Sequence, residues 1–182
     1  HTISDLSECT SAQVRRDLME VGYNGTPAKG YNVEELFDSV SKYLESPEGQ
    51  NVAIIGFGNL GHAILDYCYD RSPKVKISAL FDIDPKKVGR LFRNTKCYHI
   101  DNLEIVIKEN NIKVAILVAP TGNAQDITDR LVKSGVNGIL NYSPTKLNVP
   151  NSVFVENRDM MMALQKTAYF SKVLEEENVI IK

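Results

Sequence analysis

From residue 51 onward the chain alternates between short, nearly unbroken apolar runs and longer stretches with one apolar face. The runs VAIIGF (52–57), VKISALFD (75–82), KVAILVA (113–119) and GILNY (138–142) predict strands. Asn59 to Tyr69, DNLEIVIKEN (101–110) and GNAQDITDRLVKS (122–134) predict helices, the second opened by a capping pair of Asp101 and Glu104. DPKKVGRLF (84–92) predicts a short helix started by Pro85, and YHI (98–100) a short strand. SVFVEN (152–157) predicts an edge strand, and RDMMMALQKTAYFSKVLEEE (158–177) a long final helix. Uninterrupted apolar strands separated by helices imply an α/β fold, a parallel sheet covered on both faces.

The first 50 residues follow another rhythm. TISDLSE (2–8) predicts a short helix capped by Thr2, with Asp5 at the reciprocal position, and CTSAQVRRDLME (9–20) a helix from Ser11 with Val14 and Leu18 on one face. VGYNGTPAKGY (21–31) then reads as turns or a short hairpin. Helix, turn, helix, hairpin is the order of a winged helix-turn-helix that lacks its first part. NVEELFDSVSKYLE (32–45) predicts a helix with Asn32 and Glu35 as a capping box and Val33, Leu36, Phe37, Val40 and Leu44 as its apolar stripe. SPEGQN (46–51) breaks it and marks a boundary. The expected organisation is a partial winged-helix domain with a connecting helix (1–46), a Rossmann-like doubly wound domain (51–156) and a C-terminal helix (157–182).

Composition narrows the function. The 182 residues are 43% hydrophobic and 24% charged, ordinary for a globular protein, and the net charge of −2 gives no global basic field. Nucleic-acid contact therefore has to come from a local patch. No apolar run approaches ~18 residues, and no signal peptide is visible, so no membrane partner is expected. The chain begins at His1 rather than Met, as expected of a fragment. Cys9, Cys68 and Cys97 are scattered and read as free thiols of a cytoplasmic protein. His1, His62 and His99 lack metal-ligand spacing, so no metal is expected.

The sharpest motif is GFGNLG at 56–61. It follows a predicted strand and opens a predicted helix. Gly56 suits the tight turn, Gly58 a close approach of pyrophosphate, and Gly61 helix–strand packing. Phe57, Asn59 and Leu60 complete the loop, and the helix N-terminus offers N–H groups to phosphates. Asp82 ends the next strand 21 residues after Gly61, close to the ~20 of dinucleotide-binding folds, with Ile83 beside it. Asp82 should accept from the ribose hydroxyls and repel a 2′-phosphate, favouring NAD(H). Lys86 and Lys87 read as solvated. The loops after the later strands, Ala119-Pro120-Thr121 and Asn141-Tyr142-Ser143, should complete the crevice toward the nicotinamide.

A dehydrogenase also needs a proton donor or acceptor and a substrate pocket. Only 41 residues follow Asn141, and Lys146, the one plausible base near the last loop, reads as a surface charge. No catalytic residue is assigned, although an NAD-dependent oxidoreductase and a CoA-binding protein on the same fold remain alternatives.

SAQVRRDL (11–18), GYNVEEL (30–36), GFGNLGHAILDY (56–67), FDIDPKKVG (81–89), DITDRLV (126–132), GILNYSPTKLNVP (138–150) and ENRDMMMALQ (156–165) together resemble the Rex family of bacterial redox-sensing repressors over essentially the whole chain. The resemblance implies a homodimer that binds operator DNA when NADH is low and is released by NADH, with the C-terminal helix exchanged between subunits. It implies that Ser11 to Leu18 is the recognition helix, with Ser11, Gln13, Arg15 and Arg16, together with Lys29 of the wing, as DNA-binding residues. It also implies that Tyr67 lies near the nicotinamide, and that Asp159 and Met160 approach the partner's nicotinamide. Two departures stand out. Residues 1–30 carry three cations against four anions, and Met160 stands where the family often has an aromatic residue.

Overall fold

The computed structural model describes residues 2–25, 30–44, 49–69, 71 and 74–180, with backbone alone for Thr2, Leu44, Thr121 and 176–180. Two units are separated between Gly49 and Gln50, inside the predicted break.

In the first unit, helix α1 spans Thr2–Ser7, α2 Ser11–Glu20 and α3 Val33–Leu44. Thr2 lies within α1 rather than before it. Thr10 caps α2: its side chain accepts from the Gln13 N–H at 3.3 Å, and Gln13 Oε1 accepts the Thr10 N–H at 2.9 Å. The capping box expected for α3 is half present. Asn32 Oδ1 accepts the N–H groups of Glu34 and Glu35, but the Asn32 N–H donates to the Tyr23 hydroxyl at 2.8 Å, so Glu35 has no reciprocal role there. Of the predicted wing, residues 21–31, residues 26–29 lie outside the described residues, and Lys29 with them.

The second unit is built on seven strands: β1 Gln50–Ile55, β2 Val75–Asp82, β3 Leu91–Phe92, β4 Thr95–His99, β5 Val114–Leu117, β6 Gly138–Asn141 and β7 Phe154–Asn157. Their order is β3-β4-β2-β1-β5-β6-β7, parallel except for the β3–β4 pair. Side chains alternate across the sheet. Val52 and Ile54 pack with Leu65 of helix α4 (Asn59–Cys68) on one face. Ala53 and Ile55 pack with Leu103, Val106, Ile127 and Leu131 of α5 (Leu103–Glu109) and α6 (Ala124–Lys133) on the other. Two-sided burial explains the continuous apolar runs. β1 feeds β2 on one side and β5 lies on its other side, so the crevice opens where the strand order reverses.

Two local expectations fail. Residues 85–89 form turns instead of a helix. Gly89 has φ +82°, and Arg93 and Asn94 adopt φ +46° and +62° in a two-residue hairpin turn that pairs β3 with β4, so the chain reverses where a helix would continue. Asp101 does not cap α5. It sits in a 3₁₀ turn, Ile100–Asn102, and its N–H donates to His99 Nδ1. His99 ends β4, which overlaps the short strand predicted at 98–100.

Glu104 faces α6 instead: Arg130 Nη2 donates to its Oε2 at 2.8 Å and to the Ile100 carbonyl at 2.9 Å. The hydrogen bonds from Arg130 hold the Glu104 carboxyl down to about 2, against an ordinary 4.5. A depressed carboxylate stabilises the fold fully above its unfolded value and loses that contribution as pH falls through its folded value. Arg130→Leu should therefore lower the melting temperature by about 2–4 °C near neutral pH, since the pair is partly exposed and solvent-screened to about 1 kcal/mol. The gap between parent and variant should close as pH falls from about 4.5 toward 2. Melting curves across that range check it; a gap independent of pH overturns it.

Helix α7, Met160–Ile180, follows β7 directly. Among its described side chains, Met160 to Glu175, only Val173 is half-buried and the rest are exposed. No helix among the described residues is long and apolar enough to cross a membrane, and no cluster of metal-binding side chains occurs among them.

Candidate cofactor site and nucleic-acid interface

β1 ends at Ile55, and Gly56 turns the chain at φ +91°, a conformation that favours glycine. A Cβ there would also lie 2.9 Å from the Val118 carbonyl oxygen. A Cβ on Gly61 would collide with the Gly56 carbonyl oxygen. These two glycines are required by the fold. Gly58 is not: its φ is −82°, and a Cβ would meet nothing within 4 Å. It stands at the N-cap of α4 without a side-chain cap, leaving first-turn N–H groups facing open space. That space is the one a pyrophosphate needs.

The space belongs to a cavity of about 450 Å³ at the carboxyl ends of β1, β2 and β5. Of the predicted residues, Gly56, Gly58, Asn59, Leu60, Asp82 and Ile83 line one side of it. Ala119 and Pro120 line another. Sequence reasoning missed Ile55, Phe81, Ile100, Val118, Asn123 and Ile127, which complete the wall. Among the lining residues Asp82 alone is ionisable.

Asp82 is held firmly. Its Oδ2 accepts the Phe57 N–H at 3.0 Å and Lys87 Nζ at 2.9 Å, and its Oδ1 accepts the Asp84 N–H at 2.9 Å. Burial pushes its carboxyl up, but the hydrogen bonds and the charge of Lys87 outweigh that and keep it below its ordinary value. Lys87 is thus a partner of Asp82, contrary to its reading as a solvated residue. Its own ammonium is raised by that same hydrogen bond. Beneath the loop, the fully buried Phe57 ring lies 3.8 Å from the His62 ring and 4.8 Å from Phe92, centroid to centroid. Phe57 and Gly61 therefore support the loop from below and do not line the cavity. Cys97 is fully buried, and burial, then the charge of Asp82, pushes its thiol up to about 11, so it stays protonated.

The other expected contacts lie elsewhere. Asn141 and Ser143 sit at the carboxyl end of β6, but both are buried and bonded to each other rather than lining the cavity. Tyr142 packs partly on the core beside them, and the side chain of Thr121 is not among those described. Tyr67 is exposed on α4 with the Arg71 guanidinium 4.1 Å over its ring. Asp159 caps α7, its Oδ1 accepting the Met162 N–H at 2.9 Å, and Met160 is exposed.

In the first unit, Arg15 and Arg16 are exposed on α2. Gln13 holds the cap of its own helix, and the Ser11 hydroxyl donates to that of Ser4 at 3.4 Å. The two arginines are the side chains of α2 best placed to reach phosphates or guanine edges.

Comparison with known proteins extends this picture. The CoA binding domain family matches residues 48–145. A redox-sensing transcriptional repressor Rex of Listeria welshimeri is 40% identical over 168 residues, spanning 92% of this chain and 78% of that protein. The crystal structure of RSP, a Rex-family repressor, in complex with NAD⁺ and operator DNA superposes with a TM-score of 0.84 at 35% identity, covering 98% of this chain and 81% of that one. RSP in complex with NADH superposes at 0.79 with 34% identity, over 98% and 82%.

Proposed function

This chain belongs to the Rex family of redox-sensing transcriptional repressors, and we propose that it binds operator DNA as a homodimer in the cytoplasm when NADH is scarce and is released when NADH occupies the crevice. The observation that carries the reading is the pairing of two features. A cavity of about 450 Å³ has an open Gly58 face, and its lining, among the described residues, carries no ionisable group except Asp82. Gly58 admits the pyrophosphate, the α4 N-terminus donates to it, and Asp82 accepts from the adenosine ribose. Among the described lining residues Asp82 is the single ionisable side chain, and in this reading it serves the ribose, so a sensor is the function we favour.

NAD⁺ carries a positive nicotinamide ring and NADH a neutral one. The exposed Met160 of a second copy's α7, closing over that ring, would favour the neutral form, because burying an unpaired cation is costly. A second copy's Asp159 and the exposed Tyr67 lie on the same proposed seam. The domain roles follow: residues 1–46 contact DNA through α2 and Lys29, 51–156 bind NAD(H), and 157–182 form the dimer. Closure resets the spacing of two α2 helices, and half-sites at fixed helical spacing report the change.

The test uses operator duplexes enriched from a random pool and the full natural chain, at stated salt. Saturating NADH should weaken DNA binding by about 5–150-fold, the range of ordinary coupling energies. Unchanged DNA affinity overturns the reading. The match to the CoA binding domain family raises CoA as a second ligand. CoA carries a phosphate on its ribose, which the Asp82 carboxylate repels, so excess CoA should leave NADH binding unchanged.

A further inference from the structure

We propose that Asn141 is the positioning residue that ties the far end of the cofactor crevice to the root of α7, and so passes the state of the crevice to that helix. The proposal rests on the reading above that NADH weakens DNA binding.

Asn141 is the last residue of β6 and is 1% exposed. A buried amide is costly unless its donors and acceptors are all met. Here they are. Nδ2 donates to the Thr145 carbonyl and to Asn157 Oδ1, both at 2.9 Å. Oδ1 accepts the Ser143 N–H at 3.0 Å and the Ser143 hydroxyl at 2.6 Å. A backbone N–H can only donate and a backbone carbonyl can only accept, so Ser143 and Thr145 fix which way the amide faces. The backbone carbonyl of Asn141 also accepts the Arg158 N–H at 2.8 Å, continuing its register with Asn157.

One side chain thus holds two things at once. It shapes the loop after β6, on the side of the crevice beyond β5. It also grips Asn157, two residues before Asp159, the cap of α7. Beyond that root every described side chain of α7 except the half-buried Val173 is exposed within its own subunit, so within that subunit its direction is set mainly where it leaves the sheet. Its 21 residues extend about 31 Å, and a pivot of about 10° at the root moves the tip by about 5 Å, one helical turn. A small displacement of the loop by a bound nicotinamide becomes a large one at the far end of the helix.

Asn157 is exposed, so changing it tests the link without opening the core. Asn157→Ala removes the acceptor, and Asn157→Asp keeps it. For Asn157→Ala, NADH affinity and NADH-free DNA affinity should stay within about 2-fold of the parent, while the NADH-induced weakening of DNA binding shrinks by about 10-fold. Asn157→Asp should respond as the parent does. Two results overturn the proposal: a parental response in Asn157→Ala, or a loss of NADH affinity and melting temperature together with the response, which is what a purely structural plug would give. If the parent itself shows no NADH effect on DNA binding, the underlying functional reading fails first and the proposal falls with it.

Discussion

Gly58→Asp should raise the melting temperature by about 2–4 °C and weaken NADH binding by about 1,000-fold or more. The two effects share one cause. Gly58 is the N-cap of α4 in an extended conformation, with no side-chain cap and nothing within 4 Å of where a Cβ would stand. Asp is among the best N-cap residues, contributing about 1 kcal/mol, and its charge suits the helix N-terminus. In a chain of this size that is a few degrees. The same carboxylate would fill the space in front of the helix and repel a pyrophosphate there. A thousandfold loss corresponds to about 4 kcal/mol. Thermal melts and a calorimetric NADH titration decide it. Parental NADH affinity in a folded variant would falsify the placement of the pyrophosphate on α4. Gly56 and Gly61 cannot serve for this test, because their Cβ atoms would strike backbone oxygens whether or not a cofactor binds.

Asp82→Asn should move the preference between NADH and NADPH by about 100-fold. The carboxylate now receives the Phe57 N–H and Lys87 Nζ on one oxygen and the Asp84 N–H on the other. An amide offers one oxygen to these donors and turns its NH₂ toward the rest. NADH should weaken by about 10-fold, the order of one charge-assisted hydrogen bond. Lys87, released from Asp82 and left with only its 3.9 Å contact to Asp84, becomes available to a 2′-phosphate, and NADPH should tighten by a similar factor. Side-by-side titrations with the two reduced cofactors give the ratio. An unchanged ratio would mean that Asp82 does not face the ribose.

The strand-and-helix rhythm of the second unit was legible because it is local. Two-sided burial writes itself as continuous apolar runs, and the glycine turn as spaced residues followed by an acid. The turn at 85–89 was less legible, since Pro85 opens turns as readily as helices, and the left-handed Arg93 and Asn94 carry no glycine to announce them. Ile100, Asn123 and Ile127 come to the cavity from separate segments, and nothing in their spacing joins them. Asp101 and Glu104 had the spacing of a cap, but Arg130, 26 residues further on, claims Glu104. Lys87 looked solvated because its partner lies at the end of the preceding strand. Asn141 was singled out with the loop after β6, yet its side chain faces inward. The signal was there in GILN, where a polar residue ends an otherwise apolar run and must be bonded if buried.

The aromatic wedge under the glycine turn bears on time rather than affinity. Phe57 is packed against His62 and Phe92, and its N–H is bonded to Asp82, contacts made wholly within the protein. If the dinucleotide binds as proposed, these contacts hold the phosphate end of the crevice in place, and its arrival there would wait for no loop to fold. Differences in affinity between ligands at a preformed site fall mostly on the rate of departure. On that reading, how quickly the protein would report falling NADH is governed by how long each NADH molecule stays.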